Sequence, residues 1–156
     1  MSDRILGGDD DDLITAGAGY DTVYGVSGAD EIDGGEGDDN IYGGMDNDTI
    51  TAGDGDNTVY GDGGADTIVA GRDDDIIDGG MDADTITAGA GDDSIYGGMG
   101  TDEIVAGSGD DYIDGGADSD MLYGSEGDDT ITAGSGDDTV YGGSGADDID
   151  GGDGAN

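Results

Sequence analysis

The sequence has no cysteine, histidine, lysine, proline, tryptophan or phenylalanine, and its only basic residues are Arg4 and Arg72. Because histidine and cysteine are both absent, the usual nucleophile–base pairs of enzymes and sites for soft metals cannot form. Because there is no basic patch, we expect no binding to nucleic acid or to anionic lipid. No apolar run exceeds about three residues, far less than a membrane span needs, so we expect no membrane insertion.

Glycine and acidic residues dominate what is present. There are 38 glycines and 42 acidic residues, and the formal net charge is -40. High net charge, abundant glycine and few aromatic residues are typical of disordered chains. A folded state therefore requires a partner that neutralises most of this charge.

A nine-residue period runs through the whole chain. A branched aliphatic residue recurs every nine residues without a slip, and we number it position eight of the repeat. These residues are Ile5, Ile14, Val23, Ile32, Ile41, Ile50, Val59, Ile68, Ile77, Ile86, Ile95, Ile104, Ile113, Leu122, Ile131, Val140 and Ile149. Position six is Asp in every repeat from Asp3 to Asp147 except at Asn57, and position one is always Gly or Ala. A low-complexity acidic chain would not keep such a register.

The pattern G-G-x-G-x-D-x-U-x, in which U is a large aliphatic residue, appears nearly intact in Gly34–Tyr42 and in Gly142–Asp150. In this pattern the whole chain resembles the calcium-binding nonapeptide repeats of RTX (repeats-in-toxin) proteins. The resemblance implies an all-β fold, a right-handed parallel β-roll with two nonapeptides in each 18-residue coil. It also implies a single domain over residues 1–156, made of about seventeen repeats.

The repeat predicts a turn over positions one to six, where glycine permits positive φ, and a short strand over positions seven to nine. In such a strand the middle side chain points inward and its two neighbours point to solvent. The aliphatic residues then form two facing ladders in two parallel sheets, one from Ile5 to Ile149 and one from Ile14 to Val140.

Calcium is a hard cation that binds six to eight oxygen atoms, from carboxylates and from backbone carbonyls. One turn with its position-six side chain provides half of such a site, and the turn one coil later provides the other half. The predicted metal ligands are the position-six residues Asp3, Asp12, Asp21, Asp30, Asp39, Asp48, Asn57, Asp66, Asp75, Asp84, Asp93, Asp102, Asp111, Asp120, Asp129, Asp138, Asp147 and Asn156. About fifteen Ca²⁺ ions between successive turns would neutralise most of the acidic charge.

Other functions fit the sequence less well. Asp54–Asn57 begins like an EF-hand loop but lacks the central glycine and the bidentate glutamate of that loop. Carboxylate pairs alone do not exclude a glycosidase, but a solenoid offers no cleft, so we expect no enzymatic activity. Thr-Ile-Thr at Thr49–Thr51, Thr85–Thr87 and Thr130–Thr132 resembles the arrays of ice-binding solenoids. Other residue types interrupt these rows, and the third copy is predicted on the opposite sheet.

Most of the tyrosines occupy position nine and are predicted to face outward. Tyr24, Tyr42 and Tyr60 lie 18 residues apart and should stack in consecutive coils. Two interpretations are open, cross-strand packing on an exposed sheet and a contact surface for a partner or a second copy.

The sequence favours a calcium-binding extracellular module, structural or for assembly, that folds on binding Ca²⁺. The resemblance implies secretion by a bacterial type I system to the cell surface or beyond, where calcium is plentiful. In one interpretation copies associate end to end into a filament or matrix, because Met1–Asp3 and Gly151–Asn156 are turns without caps. In the other, the chain is a repeat block of a larger secreted toxin, protease, lipase or adhesin.

Overall fold

The computed structural model describes residues 1–156, and all of its regular elements are β-strands. The odd-numbered strands form one parallel sheet, sheet A: β1 (Arg4–Gly8), β3 (Thr22–Ser27), β5 (Asn40–Met45), β7 (Thr58–Gly63), β9 (Ile76–Met81), β11 (Ser94–Met99), β13 (Tyr112–Ala117), β15 (Thr130–Thr132) and β17 (Asp148–Asp150). The even-numbered strands form sheet B: β2 (Leu13–Ala18), β4 (Glu31–Glu36), β6 (Thr49–Asp54), β8 (Thr67–Arg72), β10 (Thr85–Ala90), β12 (Glu103–Ser108), β14 (Met121–Glu126) and β16 (Thr139–Ser144). None of these elements is a helix that could span a membrane.

Each strand pairs in parallel with the strand one coil before it and the strand one coil after it. Ile86 in β10, for example, is paired with Ile68 in β8 and with Ile104 in β12, which are both 18 residues away. The same shift holds throughout both sheets, so position eight always lies beside position eight. This register confirms the predicted parallel β-solenoid of 18-residue coils and its two aliphatic ladders.

The predicted division of the repeat into a six-residue turn and a three-residue strand is wrong. Most strands have six residues, from position seven of one repeat to position three of the next, and only positions four to six form the turn. Strand β6 continues from Thr49 through Ala52 and Gly53 to Asp54. Gly53, at position two, has a φ of 108° inside the strand. The glycine that suggested a turn in the sequence therefore belongs to a strand.

The core is one layer of small and aliphatic side chains, contributed by both sheets and packed between them. Alternate residues of an extended chain share a face, so positions six, eight and one all point inward. The aliphatic residues from Ile32 to Ile131 are at most 1 % exposed, and alanines at position one, such as Ala70 and Ala88, are fully buried beside them. The position-six residues therefore lie inside the same layer as the hydrophobic ladder.

The outer faces carry stacked tyrosines. The ring centroids of Tyr24 and Tyr42 are 4.9 Å apart and those of Tyr42 and Tyr60 are 5.1 Å apart, with an angle of 6° between the rings in both pairs. This confirms the predicted ladder, whose spacing is that of neighbouring strands. Tyr123 and Tyr141 stack in the same way on sheet B at 5.1 Å. The third Thr-Ile-Thr segment lies in sheet A, opposite the other two, as predicted.

Candidate metal centre

Two columns of turns run along the edges of the solenoid, where the chain passes between the sheets. Edge 1 holds the turns that follow the strands of sheet A, and edge 2 holds the turns that follow the strands of sheet B. Fourteen position-six residues are at most 5 % exposed: Asp21, Asp30, Asp39, Asp48, Asn57, Asp66, Asp75, Asp84, Asp93, Asp102, Asp111, Asp120, Asp129 and Asp138. Of the other residues predicted as ligands, Asp12 and Asp147 are half-buried, and Asp3 and Asn156 are exposed in the terminal coils.

One oxygen of each buried carboxylate binds the backbone of the coil before it. The backbone N–H of Asp30 donates to Oδ1 of Asp48 at 2.8 Å, and that of Asp84 donates to Oδ1 of Asp102 at 2.8 Å. Equivalent bonds begin with the N–H of Asp3 and end at Oδ1 of Asn156. The structure therefore brings together each pair of position-six residues that the sequence placed one coil apart.

The second oxygen of the same carboxylates is buried without a hydrogen-bond partner. This holds for Oδ2 of 13 aspartates, which are all the buried position-six residues except Asn57. Burial of a charged oxygen is costly unless a proton or a cation compensates its charge. The inside of each edge thus contains a column of oxygen atoms that requires positive charge.

Backbone carbonyl oxygens lie beside these carboxylates. A Cβ atom built on Gly97 would be 2.7 Å from Oδ2 of Asp102 and 2.5 Å from the carbonyl oxygen of Gly115 in the next coil. At Gly97 the absence of a Cβ leaves both oxygens the room to approach each other. Nowhere do three carboxylates converge into a metal site of their own, so a cation would need these carbonyls as further ligands. A mixed set of carboxylate and carbonyl oxygens fits Ca²⁺.

Burial raises the pKa of 11 of the 13 inward carboxyl groups above the ordinary value of 3.8. The pKa rises to about 7 for Asp48, Asp75, Asp84 and Asp120, with desolvation as the largest cause. The hydrogen bond from the backbone N–H one coil earlier opposes the rise, while carboxylates in adjacent coils add to it. A nearby cation would stabilise the ionised form of these carboxyl groups and lower their pKa.

A second set of polar side chains, which the sequence interpretation missed, lies at position five on the outside of the turns. Their Oδ1 atoms accept hydrogen bonds from the backbone N–H of position five in the following coil, as Asp74 does from Asp92 at 2.8 Å. The acceptors are Asp11, Asp38, Asn47, Asp56, Asp74, Asp92, Asp110, Asp128 and Asp137. The frequent Asp or Asn at this fixed position was the available signal. Each such turn is therefore hydrogen-bonded to both neighbouring coils. Its position-six side chain accepts from the preceding coil, and its position-five side chain accepts from the following coil.

Asn57 is the one buried position-six residue in which both terminal atoms of the side chain have hydrogen-bond partners. Its Oδ1 accepts the backbone N–H of Asp39 at 3.0 Å, as an aspartate would. Its Nδ2 donates to the carbonyl oxygen of Gly55, in the same turn, at 2.8 Å. The Asn57 turn consequently has no unpaired inward side-chain oxygen.

Acidic residues at position four do not point into the buried columns. Asp10, Asp46, Asp73, Asp82 and Asp118 replace glycine there and are exposed. All of them except Asp10 keep positive φ values, of 71–78°. Aspartate tolerates this left-handed conformation better than most residues do. The four substitutions with positive φ therefore preserve the shape of the turn that glycine gives elsewhere.

Comparison with known proteins agrees with this geometry. The profile described as RTX calcium-binding nonapeptide repeat (4 copies) matches in overlapping windows that together cover almost the whole chain. The windows are residues 2–23, 24–59, 51–86, 60–95, 78–113, 96–131 and 123–156. A search among curated proteins finds no match.

Proposed function

Because the chain belongs to the RTX calcium-binding nonapeptide repeat family, we propose that it is an extracellular module whose folding depends on calcium. Repeats of this family bind Ca²⁺, and a β-roll built from them is a structural module that is typically non-catalytic. The finer proposal concerns which residues hold the ions and what the binding does. In this proposal, residues 1–156 fold as one unit.

The observation that carries the proposal is the column of buried, unpartnered Oδ2 atoms along each edge. In the proposed site, one position-six carboxylate and the carbonyl oxygens beside it face the corresponding atoms of the next turn. The ligand residues are those from Asp3 to Asn156 at position six, and successive turns hold about fifteen ions in all. Bound Ca²⁺ supplies the positive charge that lets neighbouring carboxylates remain ionised at short range.

Calcium concentration then decides whether the chain is folded. For a site with a dissociation constant near 10⁻⁴ M, millimolar calcium stabilises the folded state by about 1.4 kcal/mol, and submicromolar calcium by almost nothing. Since about fifteen sites act on the same fold, the summed effect is large outside a cell and negligible inside it. This supports a chain that stays unfolded during export and folds after it, at the cell surface or beyond.

Circular dichroism during a calcium titration tests the proposal. We expect a disordered spectrum in excess EDTA and a cooperative gain of β-structure as calcium rises into the millimolar range. Native mass spectrometry of the folded protein should show about fifteen bound calcium ions. Unchanged β-structure in EDTA, with no calcium retained, would contradict the proposal.

A second candidate function is end-to-end association of the 156-residue polypeptide. In the last strand of sheet A, Ile149 is 45 % exposed, whereas its counterpart Ile131 is fully buried by the strands on both sides. A second copy that continued the sheets would bury this side chain and pair the free strand edge. In a longer chain, any adjoining repeats or domains would cover the same edge, as in a secreted toxin, protease, lipase or adhesin.

Light scattering in millimolar calcium over a range of protein concentrations separates these outcomes. Growing particles whose size depends on concentration would support association, and electron microscopy should then show fibres one solenoid wide. A monomeric particle at every concentration would leave only the calcium-dependent folding module.

A further inference from the structure

Asn57 sets one turn of edge 2 apart from every other buried turn. It is 1 % exposed and lies between Asp39 and Asp75 in the column. In the other 13 buried turns the position-six side chain ends in an unpartnered oxygen, whereas in this turn it ends in a nitrogen that donates to Gly55.

The orientation of the Asn57 amide is fixed by its two partners. The backbone N–H of Asp39 can only donate, so the atom that faces it must be the oxygen. The carbonyl of Gly55 can only accept, so the atom that faces it must be the NH₂ group. Rotation of the amide by 180° would place donor against donor and acceptor against acceptor. No alternative orientation therefore returns an oxygen to the inside of the turn.

The amide also removes two potential ligands of a cation. An amide nitrogen that carries two hydrogens does not coordinate a hard cation, and the Gly55 carbonyl is already engaged by it. The Asn57 side chain has no charge, so no buried charge in this turn needs a counterion. Its internal hydrogen bond satisfies the atoms that in other turns remain unpaired.

We infer that Asn57 closes its turn without calcium and divides the ions of edge 2 into two separate groups. One group lies between Asp3 and Asp39, and the other lies between Asp75 and Asp147. Edge 1 has no corresponding break between Asp12 and Asp138. This inference rests on the proposed calcium sites and removes only Asn57 from their proposed ligands.

The Asn57→Asp variant, compared with Asn47→Asp, tests the inference. Both substitutions convert one asparagine into a carboxylate and change the net charge by the same amount. Asn47 is exposed at position five, and its Oδ1 accepts the N–H of Ala65, a bond that Asp11 makes equally well to Ala29. The control therefore adds the charge without adding an inward oxygen.

Native mass spectrometry in saturating calcium counts the ions in each variant. We expect Asn57→Asp to bind one or two more calcium ions than the wild type, and Asn47→Asp to bind the same number as the wild type. An unchanged count for Asn57→Asp, or an equal gain in both variants, overturns the inference while the calcium sites elsewhere stand. A wild type that binds no calcium overturns the proposed function instead.

Nuclear magnetic resonance provides a second readout that does not depend on a count. In the calcium-loaded wild type, the side-chain NH₂ of Asn57 should exchange with solvent at least tenfold more slowly than that of the exposed Asn40. The slow signal should disappear in Asn57→Asp, which identifies it. Equal exchange rates for the two side chains would overturn the hydrogen bond on which the inference depends.

Discussion

The backbone N–H of Asp66 donates a 2.8 Å hydrogen bond to Oδ1 of Asp84, one full coil later in the sequence. The acidic side chain therefore has two separate tasks. Its first oxygen holds the previous coil in register, and its second oxygen, which is buried and unpaired, is available to a cation. Substitutions that remove both oxygens or only the second should be distinguishable.

Replacement of Asp84 by alanine should weaken folding more than replacement by asparagine. Alanine leaves the buried N–H of Asp66 without an acceptor, at a cost of about 1–3 kcal/mol, and also removes a calcium ligand. Asparagine keeps the acceptor and can pair its NH₂ as Asn57 does. The calcium midpoint measured by circular dichroism should rise in the order wild type, Asp84→Asn, Asp84→Ala.

Asp33→Ala is the matched control for charge, because Asp33 is exposed on the outer face of sheet B. Its removal should change the stability by less than about 0.5 kcal/mol. Hydrogen exchange should show the Asp84→Ala damage in the adjoining coils only, since a solenoid is stabilised mainly by neighbour contacts. Equal calcium midpoints for Asp33→Ala and Asp84→Ala would argue against the position-six ligands.

Magnesium should not replace calcium as the folding ion. It demands a compact octahedral site and gives up its water reluctantly, whereas the turns offer carbonyl and carboxylate oxygens from two separate coils. At 5 mM, Mg²⁺ alone should leave the circular dichroism spectrum close to that in EDTA. A full β-sheet spectrum in magnesium would show that charge neutralisation alone suffices.

Folding without calcium should improve as the pH falls. The folded-state pKa of Asp48, Asp75, Asp84 and Asp120 is about 7, above the ordinary value of 3.8, so the folded state binds protons more tightly than the unfolded state. The contribution of these groups is therefore most favourable below pH 4 and is lost as the pH rises through about 7. In EDTA, β-structure should be greater at pH 4.5 than at pH 8.

The same linkage acts in the opposite direction on calcium affinity. Calcium must displace the protons that the buried carboxyl groups hold, so the calcium midpoint should rise as the pH falls from 8 to 5. Titration calorimetry in buffers of different ionisation enthalpy should detect proton release below pH 7. A midpoint that is constant over this range would contradict the raised pKa values.

Val26→Gly should stabilise the protein. Val26 occupies position two with a φ of 94°, a left-handed conformation that is unfavourable for a β-branched residue and normal for the glycine found there in most repeats. Relief of about 1–2 kcal/mol of strain should exceed the entropic cost of glycine, about 0.5–1 kcal/mol. We expect the thermal midpoint in calcium to rise by about 1–3 °C. Ser27→Gly, at the next position and without positive φ, should lower it.

The aliphatic ladders followed from the unbroken nine-residue period, whereas the register and the pairing of position-six residues one coil apart followed from the family resemblance, which implies two repeats in each coil. Seventeen aliphatic residues at one phase all face the same side of their strands, and those from Ile32 to Ile131 are buried in the structure. The outward tyrosine stack followed from the same period. These features required no knowledge of the turns.

The length of the strands could not be obtained in the same way. Glycine at positions one and two is typical of turns, but in this fold glycine is used for close contact inside a strand. A Cβ on Gly98 would press against the carbonyl of Gly80 in the preceding coil, and this contact exists only after the coils have stacked. The task of Asp74 and its equivalents at position five likewise appears only when the next coil supplies its N–H.

Because every coil is paired only with the coils directly before and after it, the molecule should respond to mechanical tension one coil at a time. A force that separates the two ends of the chain would act on the outermost strand and leave interior coils shielded until it has come away. Each detached coil would release roughly 60 Å of extended chain, since 18 residues span at most about 3.3–3.6 Å each. The force at each step would depend on the calcium concentration, so the solenoid would behave as an extensible tether whose stiffness the surrounding medium sets.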